Sequence, residues 1–308
     1  MKKVILYYKF VPVADPVMTM RWQRELCRRL GLKGRIIISS HGINGTLGGD
    51  IENVREYKRE MNRSVVFKDI VYKWSDGSGE EFPRLSVKVR PELVAFGAPD
   101  EIKVDQHGVV GGGKHLKPEQ LHELVATRGD EVIFFDGRNA YEAKVGRFKN
   151  AVVPDTRTTH DFLTEIESDK YNDIKDKPVV TYCTGGVRCE ALSALMKNRG
   201  FKEVYQVDGG VVKYGEQYGD DGLWEGALYI FDGRMTQRFS DKSVDIGECV
   251  HCGGKTSRFI NCENVECNKL VLVCDACAAQ TKCAACSAKN ATVGYNNIRG
   301  RLGDCRLR

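Results

Sequence analysis

The sequence lacks any apolar run long enough to cross a lipid bilayer. No window of its 308 residues approaches the roughly 18 consecutive apolar residues that a membrane-spanning helix needs. Residues 1–8 contain two lysines and a short apolar run, but no small-residue cleavage site follows them. This segment therefore fits a first strand better than a secretion signal. We expect a cytoplasmic protein that makes no contact with a membrane.

Motifs for flavin and iron cofactors are also missing. No G-x-G-x-x-G sequence is anchored to a predicted strand, and the six histidines form no clear set of two histidines and one carboxylate. Hydrophobic residues make up 42% and charged residues 29% of the chain, which is ordinary for a globular protein. A chain of this length suggests two or three domains.

Positive charge is concentrated at both ends of the chain. Residues 1–98 hold 18 lysine and arginine residues against 11 acidic ones, a balance of +7, and residues 289–308 carry +4. Residues 99–288 carry −6. Lysine and arginine contacts to phosphates supply most of the non-specific affinity for nucleic acids, so RNA is one candidate partner. A solvated basic surface explains the same charge equally well.

Residues 1–98 alternate strand-like and helix-like patterns in the order β-α-β-α-β-β. This order is close to a split βαβ arrangement, so we predict a basic, ferredoxin-like α+β domain. The predicted strands are 4–10, 34–39, 65–72 and 85–90, and the predicted helices are 16–30 and 51–62.

A glycine-rich segment at 39–49 interrupts this pattern. Asn44 and Gly45 lie between apolar residues and fit a hairpin turn. A glycine loop that contacts a nucleic-acid backbone is an equal alternative.

A linker at 97–113 leads into a second domain, which we place at 99–228. Pro118 begins a predicted helix that ends near Thr127. Strands alternating with helices indicate a parallel α/β sheet covered on both faces. Ligands of such sheets bind beyond the carboxyl ends of the strands, where Asp136, Cys183 and Asp208 fall. The predicted strands are 131–136, 149–153, 178–182 and 204–210.

The segment from Cys183 to Arg188 is predicted to be a reactive loop between a strand and a helix. Amides at a helix start, together with the Arg188 cation, favour a thiolate at Cys183. Four residues separate the two, one fewer than in phosphatase loops of C-x5-R type, and this smaller ring suits a sulfur. The spacing resembles rhodanese-like domains, whose cysteine carries a persulfide. The alternative is a turn with a buried structural cysteine. The intervening residues are Thr184, Gly185, Gly186 and Val187, and the two glycines allow tight curvature.

The third segment, 229–308, is rich in cysteine and is predicted to bind metal. Eight of the chain's 12 cysteines form closely spaced pairs, which favours tetrahedral thiolate sites over disulfides. Eight sulfurs suffice for up to two structural zinc ions, and the pairing is either sequential or interleaved. An iron–sulfur cluster is less suited because the C-x2-C-x2-C spacing is absent. The pairs are Cys249 and Cys252, Cys262 and Cys267, Cys274 and Cys277, and Cys283 and Cys286.

Together these motifs resemble the bacterial oxygen-dependent tRNA uridine hydroxylase family, whose rhodanese-containing members convert the wobble uridine to 5-hydroxyuridine. The resemblance covers about residues 1–286, and segment 183–190 is its most specific match. Other matches are 42–46, 84–90, 136–142 and 231–234, followed by the cysteine pairs.

The resemblance implies an enzyme that acts on the anticodon region of tRNA. Cys183 would be the catalytic cysteine, able to hold a persulfide, and Arg188 and the loop amides would stabilise its charge. Asp136 and Arg138 resemble supporting residues beside the loop, although Arg138 and Glu142 also have the spacing of an ordinary helix pair. Cys189 is expected to pack, or else to take part in the sulfur chemistry.

The chain departs from the family pattern at three places. His41 stands where the family commonly has a glutamate, and the pair Cys283 and Cys286 is additional to the usual six cysteines. Residues 287–308, which include Cys305, match no part of the family pattern. None of these departures touches the Cys183 loop.

Two other functions remain open from the sequence. A sulfurtransferase acting on thiosulfate or a protein persulfide would need only the middle domain, which leaves both flanking segments unexplained. A non-catalytic RNA-binding regulator could use the cysteine-rich module as its interface, but degenerate rhodanese domains usually lack the nucleophile that this chain retains.

Overall fold

A computed structural model of the protein describes residues 1–287. The residues from 288 onwards, with Cys305 and nearly all of the segment that matched no family pattern, lie outside the described residues. None of the helices within residues 1–287 combines the length and the apolar character that a bilayer span requires.

A five-stranded sheet and two helices form the first part of the chain. The elements are β1 (Lys2–Phe10), α1 (Pro16–Arg29), β2 (Lys33–Ser39), β3 (Gly42–Asp50), α2 (Ile51–Arg63), β4 (Lys73–Gly77) and β5 (Leu85–Val89). The strand order is β4-β1-β3-β2-β5, with β2 and β5 parallel and the other neighbours antiparallel. The predicted ferredoxin-like fold is therefore confirmed, with β5 added at one edge.

The sheet uses its two faces differently. Side chains alternate along a strand, so Ile5 and Tyr7 of β1 are buried in the core with α1 and α2. The Tyr7 hydroxyl is hydrogen-bonded to the Tyr57 hydroxyl of α2. Leu6 and Tyr8 point to the opposite face, which borders a cavity shared with the middle of the chain. This second face positions the site described below.

The glycine-rich segment is a strand, and both interpretations of Asn44 and Gly45 as a turn or a loop are wrong. Segment β3 pairs along its length with β1 and β2. A Cβ on Gly45 would lie 2.5 Å from the ring of Tyr7, its cross-strand partner, so the glycine makes room for a buried aromatic ring. Composition alone could not distinguish this packing role from a turn.

The predicted strand at 65–72 is also wrong. Residues 65–69 form turns after α2, where the Lys68 amide donates to the Ser64 carbonyl, and the strand begins only at Lys73. Phe67, Ile70 and Tyr72 are buried in the core, whereas Val65 is 83% exposed. The apolar residues of segment 65–72 therefore belong to an irregular segment that is fixed to the core by three buried side chains.

The middle of the chain forms a parallel α/β sheet. Its elements are β6 (Val104–Asp105), β7 (Gly108–Val109), β8 (Lys114–Leu116), α3 (Pro118–Arg128), β9 (Ile133–Asp136), α4 (Ala140–Ala143), β10 (Gly146–Phe148), α5 (Asp161–Glu167), β11 (Pro178–Tyr182), α6 (Val187–Asn198), β12 (Glu203–Val207) and α7 (Gly210–Tyr218). The order β8-β12-β11-β9 is parallel throughout. Val179 and Val180 of β11 lie in two different cores, so both faces are covered.

One predicted strand of this sheet is displaced. Instead of 149–153, the strand is β10, which pairs with a later strand outside the sheet. Of the predicted segment, Val152 alone forms a bridge, to Phe135 of β9. Asn150 has φ 59°, which breaks the extended backbone between these two pairings.

Short strands and cysteine-bearing turns make up the remainder of the described chain. The strands are β13 (Trp224–Gly226), β14 (Leu228–Tyr229), β15 (Thr236–Gln237), β16 (Phe259–Asn261) and β17 (Leu270–Leu272). β13 pairs with β10, and Trp224 is buried against Phe148 and Tyr182. The hairpin of β16 and β17 carries the cysteine-rich segment.

We predict that Gly45→Ala destabilises the protein, because the new methyl group would overlap the buried Tyr7 ring. The expected loss in free energy of unfolding is about 1–3 kcal/mol, measured by urea denaturation. Gly48→Ala on the same strand is the control, since its Cβ would meet neighbours at 3.5 Å, an ordinary contact. Equal losses in the two variants would contradict this account.

Candidate active site and metal-binding clusters

Cys183 lies between β11 and α6, at the carboxyl end of the central parallel strands. Its side chain is buried, with an exposed fraction of 1%. Gly186 precedes α6 with φ 98°, a left-handed conformation that glycine adopts without strain. Its amide donates a hydrogen bond to Cys183 Sγ at 3.1 Å. The local structure therefore matches the predicted turn, with donors directed at the sulfur.

The surroundings of Cys183 favour a thiolate. Burial by itself raises the pKa of the thiol, but a hydrogen bond from the Cys189 thiol, the charge of Arg188 and the backbone amides of Cys189 and Arg188 lower it to about 6. Burial and the charge of Cys183 raise the pKa of Cys189 well above the usual value. Cys189 is thus the protonated partner of the pair, and it packs beside Thr181 with the two side chains 3.7 Å apart.

Arg188 forms a buried bidentate ion pair with Glu142 of α4. The distance from Nη2 to Glu142 Oε2 is 2.8 Å, and the same nitrogen donates to Thr184 at 3.2 Å. The Asn139 amide donates to Glu142 at 3.0 Å, in a capping box that begins α4. The helix pair of Arg138 and Glu142 that their spacing predicts is wrong, because Glu142 binds Arg188 and Arg138 binds Asp136. The N-x-x-E capping pattern was the available signal.

Asp136 and Arg138 form a second ion pair that is completely buried. Arg138 also donates to the Gly146 carbonyl, Tyr182 donates to Asp136 at 2.8 Å, and the guanidinium lies 5.0 Å from the ring centre of Trp224. Neither residue of the pair lines the cavity that contains Cys183. Their contacts tie the ends of β9 and β11 to β10 and β13.

The first turn of α7, which begins at Gly210, supports the Cys183 loop through hydrogen bonds. The Val211 amide donates to the Cys183 carbonyl at 2.9 Å, and the Val212 amide donates to the Thr184 carbonyl at 3.0 Å. A Cβ on Gly210 would lie 2.5 Å from the Cys183 carbonyl oxygen, so this position needs a glycine. Asp208 instead pairs with Lys213 and lies 3.8 Å from His115.

The Cys183 loop forms part of a cavity of about 600 Å³ that three parts of the chain enclose. One wall is the open face of the first sheet, the loop forms another, and the segment after β14 forms a third. His41, in the turn before β3, is not among the lining residues. The lining residues of the cavity include Leu6, Tyr8, Arg35, Lys73, Phe231 and Arg238.

The eight paired cysteines form two tetrads with interleaved pairing. Cys249 and Cys252 meet Cys274 and Cys277, while Cys262 and Cys267 meet Cys283 and Cys286. Within each tetrad all sulfurs lie within 4.8 Å of one another, so each can hold a metal ion. Of the two predicted pairings, the structure favours the interleaved one. Cys283 and Cys286 belong to the second tetrad.

We predict that Glu142→Gln lowers the free energy of unfolding by about 3 kcal/mol, because Arg188 would remain buried without a carboxylate. Urea denaturation measures the loss. Glu131→Gln is the matched control: its partner Arg128 is 2.8 Å away, but both side chains are exposed, so the expected loss is below about 1 kcal/mol. Similar small losses in both variants would refute the structural importance of the Arg188 pair.

Family models match three successive parts of the chain. The model described as "UPF0176 acylphosphatase like domain" matches residues 2–93, "Rhodanese-like domain" matches 117–217, and "Rhodanase C-terminal" matches 225–290. The first match corresponds to the five-stranded sheet, and the second contains the Cys183 loop.

Several curated relatives match nearly the whole chain. A protein of Corynebacterium jeikeium named tRNA uridine(34) hydroxylase is 62% identical over 287 residues, which are 93% of this chain and 93% of the relative. A protein of the same name from Corynebacterium glutamicum is 58% identical over 305 residues, 96% of this chain and 98% of the relative. These similarities show that the chain belongs to the tRNA uridine(34) hydroxylase family, an enzyme family with a rhodanese domain.

Proposed function

We propose that this chain hydroxylates uridine 34 of tRNA at C5, with Cys183 as the catalytic cysteine. The observation that carries the assignment of Cys183 is its position in a cavity that all three parts of the chain help to build. A small-molecule sulfurtransferase would need only the middle part. A cavity whose walls include a basic domain suits a polyanionic substrate.

The lining of the cavity suits a nucleotide extruded from a single-stranded loop. Phe231 offers aromatic surface for a base, and Arg35 and Arg238 offer cations for flanking phosphates. Phe231 is 44% exposed and lies over the Arg188 guanidinium at 5.4 Å. An exposed ring at the rim of a cavity is available to stack on a base. The anticodon loop of tRNA presents uridine 34 in this unpaired form.

The chemistry begins with addition of the Cys183 thiolate to C6 of uracil, which moves the electron pair of the C5–C6 double bond to C5. Dioxygen accepts that pair at C5, and protonation gives a C5 hydroperoxide. Two thiols of an external reductant become a disulfide and supply two electrons and two protons, which cleave the O–O bond to a C5 hydroxyl and water. Loss of the C5 proton then expels the thiolate from C6. Arg188 and the loop amides stabilise the thiolate at the start and end of this sequence.

We assign zinc to the two cysteine tetrads in a structural role. Four thiolates around one ion are the usual donor set of structural zinc, with Zn–S bonds of about 2.3 Å and therefore sulfurs about 3.8 Å apart. Cys252 and Cys274 have sulfurs 3.5 Å apart, and those of Cys267 and Cys283 are 3.8 Å apart. Bound zinc would fix the turns around the β16–β17 hairpin.

A cytoplasmic location is part of this proposal. Thiolate metal ligands and a reactive Cys183 require reduced sulfur, and cysteines remain reduced in the cytoplasm. The substrate tRNA is found in the same compartment.

We predict that Cys183→Ser abolishes 5-hydroxyuridine at position 34 of tRNA, because an alcohol does not ionise to add to C6 at neutral pH. The measurement is nucleoside mass spectrometry of tRNA from a deletion strain that expresses each variant. Cys27→Ala is the control: Cys27 is buried in the core of the first sheet, and burial raises its pKa to about 12.

Full formation of 5-hydroxyuridine by the Cys183→Ser variant would contradict the assignment of Cys183 as the catalytic cysteine. A change in thiolated uridine without any change in hydroxyuridine would instead point to sulfur transfer. Loss of 5-hydroxyuridine in both Cys183→Ser and Cys27→Ala would indicate that the variants are unstable, so protein levels are measured in parallel.

We predict two zinc ions per chain, and one after either Cys249→Ser or Cys262→Ser, because these residues belong to different tetrads. Elemental analysis of purified protein gives the stoichiometry. If the pairing were sequential, Cys249→Ser combined with Cys274→Ser would remove both ions. Interleaved pairing predicts that this double variant retains one.

A further inference from the structure

Lys73 reaches across from the first sheet to the Cys183 loop. It is the first residue of β4, and its ammonium donates a hydrogen bond to the Gly185 carbonyl at 2.7 Å. The same ammonium lies 5.0 Å from the ring centre of Tyr8. Lys73 therefore stands beside the loop that carries Cys183, although more than a hundred residues separate the two along the chain.

The charge of Lys73 differs in one respect from that of Arg188. Arg188 is neutralised by its bidentate pair with Glu142. Within residues 1–287, Lys73 makes no ion pair within 4.0 Å, and its close oxygen partner is the neutral Gly185 carbonyl. Of the two cations beside the loop, Lys73 is therefore the one whose charge is not neutralised by a carboxylate in contact with it in the described part of the chain.

The first sheet also shapes the loop by direct contact. A Cβ on Gly185 would lie 2.6 Å from Leu6, and a Cβ on Gly186 would lie 2.8 Å from the Tyr8 hydroxyl. The Tyr8 hydroxyl donates to Glu190 of α6 at 3.0 Å. Through Lys73, Leu6 and Tyr8, the open face of the first sheet packs directly against the Cys183 loop.

From this geometry we infer that Lys73 is a positioning residue that holds Cys183 in its charged form, so that the reactive site is completed only by the N-terminal domain. The inference adds a residue to the proposed function, but the charge of the sulfur is measurable without tRNA. A cation near a thiolate favours the charged sulfur, and an uncompensated cation in a low-dielectric site does so most strongly.

The other charged groups near Lys73 are consistent with this role. Burial lowers the pKa of Lys73, while the charges of Cys183, Asp208 and Glu216 oppose that shift and Lys213 reinforces it. Asp208 is already paired with Lys213, and Glu190 is paired with His115 at 3.3 Å. The groups that lower the pKa of Cys183 are Cys189, Arg188 and the backbone amides, and Tyr8 is a further titratable neighbour.

The test compares Lys73→Gln with Lys73→Arg and Lys73→Met in the zinc-loaded, full-length protein. Glutamine keeps a donor for the Gly185 carbonyl and loses the charge, arginine keeps the charge, and methionine loses both. The readout is the pH dependence of Cys183 alkylation by iodoacetamide, followed by mass spectrometry. Trypsin cleaves after Arg188, so Cys183 and Cys189 fall on separate peptides.

We expect the midpoint of alkylation to rise by about one pH unit in Lys73→Gln and Lys73→Met, since loss of a cation raises a thiol pKa. Below the midpoint this is an alkylation rate about tenfold lower. Lys73→Arg should keep the midpoint of the unmodified protein. Lys9→Gln is the matched control, because Lys9 donates to the Lys68 carbonyl at 2.7 Å but lies away from the loop.

A midpoint unchanged in Lys73→Gln would overturn the inference, and so would an equal rise in Lys73→Arg. A rise of the midpoint in Lys73→Met alone would show that the hydrogen bond to Gly185 matters and the charge does not. That result would also overturn the inference. Thermal melting of each variant separates these outcomes from misfolding. A shifted midpoint in a protein that never modifies tRNA would leave the inference standing and remove the proposed function.

Discussion

A buried sulfur can remain negatively charged only if neighbouring groups offset the water that it has lost. The structure around Cys183 follows from this constraint. The backbone amides, the thiol of Cys189 and the cation Arg188 all act on one atom, and we infer that Lys73 does so too. The parallel sheet places the loop at the carboxyl ends of its strands, where a helix start provides unpaired amides.

Both ion pairs near the loop serve this constraint in different ways. The pair of Arg188 and Glu142 keeps a guanidinium in the site without leaving it unpaired. The pair of Asp136 and Arg138 is enclosed beneath the site and fixes the strand ends on which the loop stands. The first pair therefore places the cation that lowers the pKa of Cys183, and the second supports the strand ends beneath the loop.

The first sheet contributes more than a basic surface. Its open face closes the cavity, touches both loop glycines and supplies Lys73. Under the proposed function, a domain joined in this way both binds the substrate and shapes the nucleophile, which explains why the cavity belongs to no single part of the chain. Gly185 and Gly186 then have two roles: they allow the turn, and they leave room for Leu6 and Tyr8.

Features with a local cause were predictable from the sequence. The strand, loop and helix around Cys183, the elements β1, α1, β2, α2 and β5 of the first domain and the metal-type cysteine spacing each follow from neighbouring residues. Features with a distant cause were not. Gly45 resembled a turn residue because the Tyr7 ring that it accommodates comes from another strand. The partnership of Arg188 with Glu142 and the reach of Lys73 to Gly185 depend on tertiary packing, which spacing along the chain does not encode.

The central claim, that the Cys183 thiolate adds to C6 of uridine 34, can be tested without oxygen or reductant. Reversible addition would allow solvent to protonate C5, so anaerobic incubation of tRNA in deuterated water should place deuterium at C5 of uridine 34. Nucleoside mass spectrometry detects this exchange. The account predicts exchange with the unmodified protein and none with Cys183→Ser. Exchange that is absent from the unmodified protein, or that persists in Cys183→Ser, would contradict it.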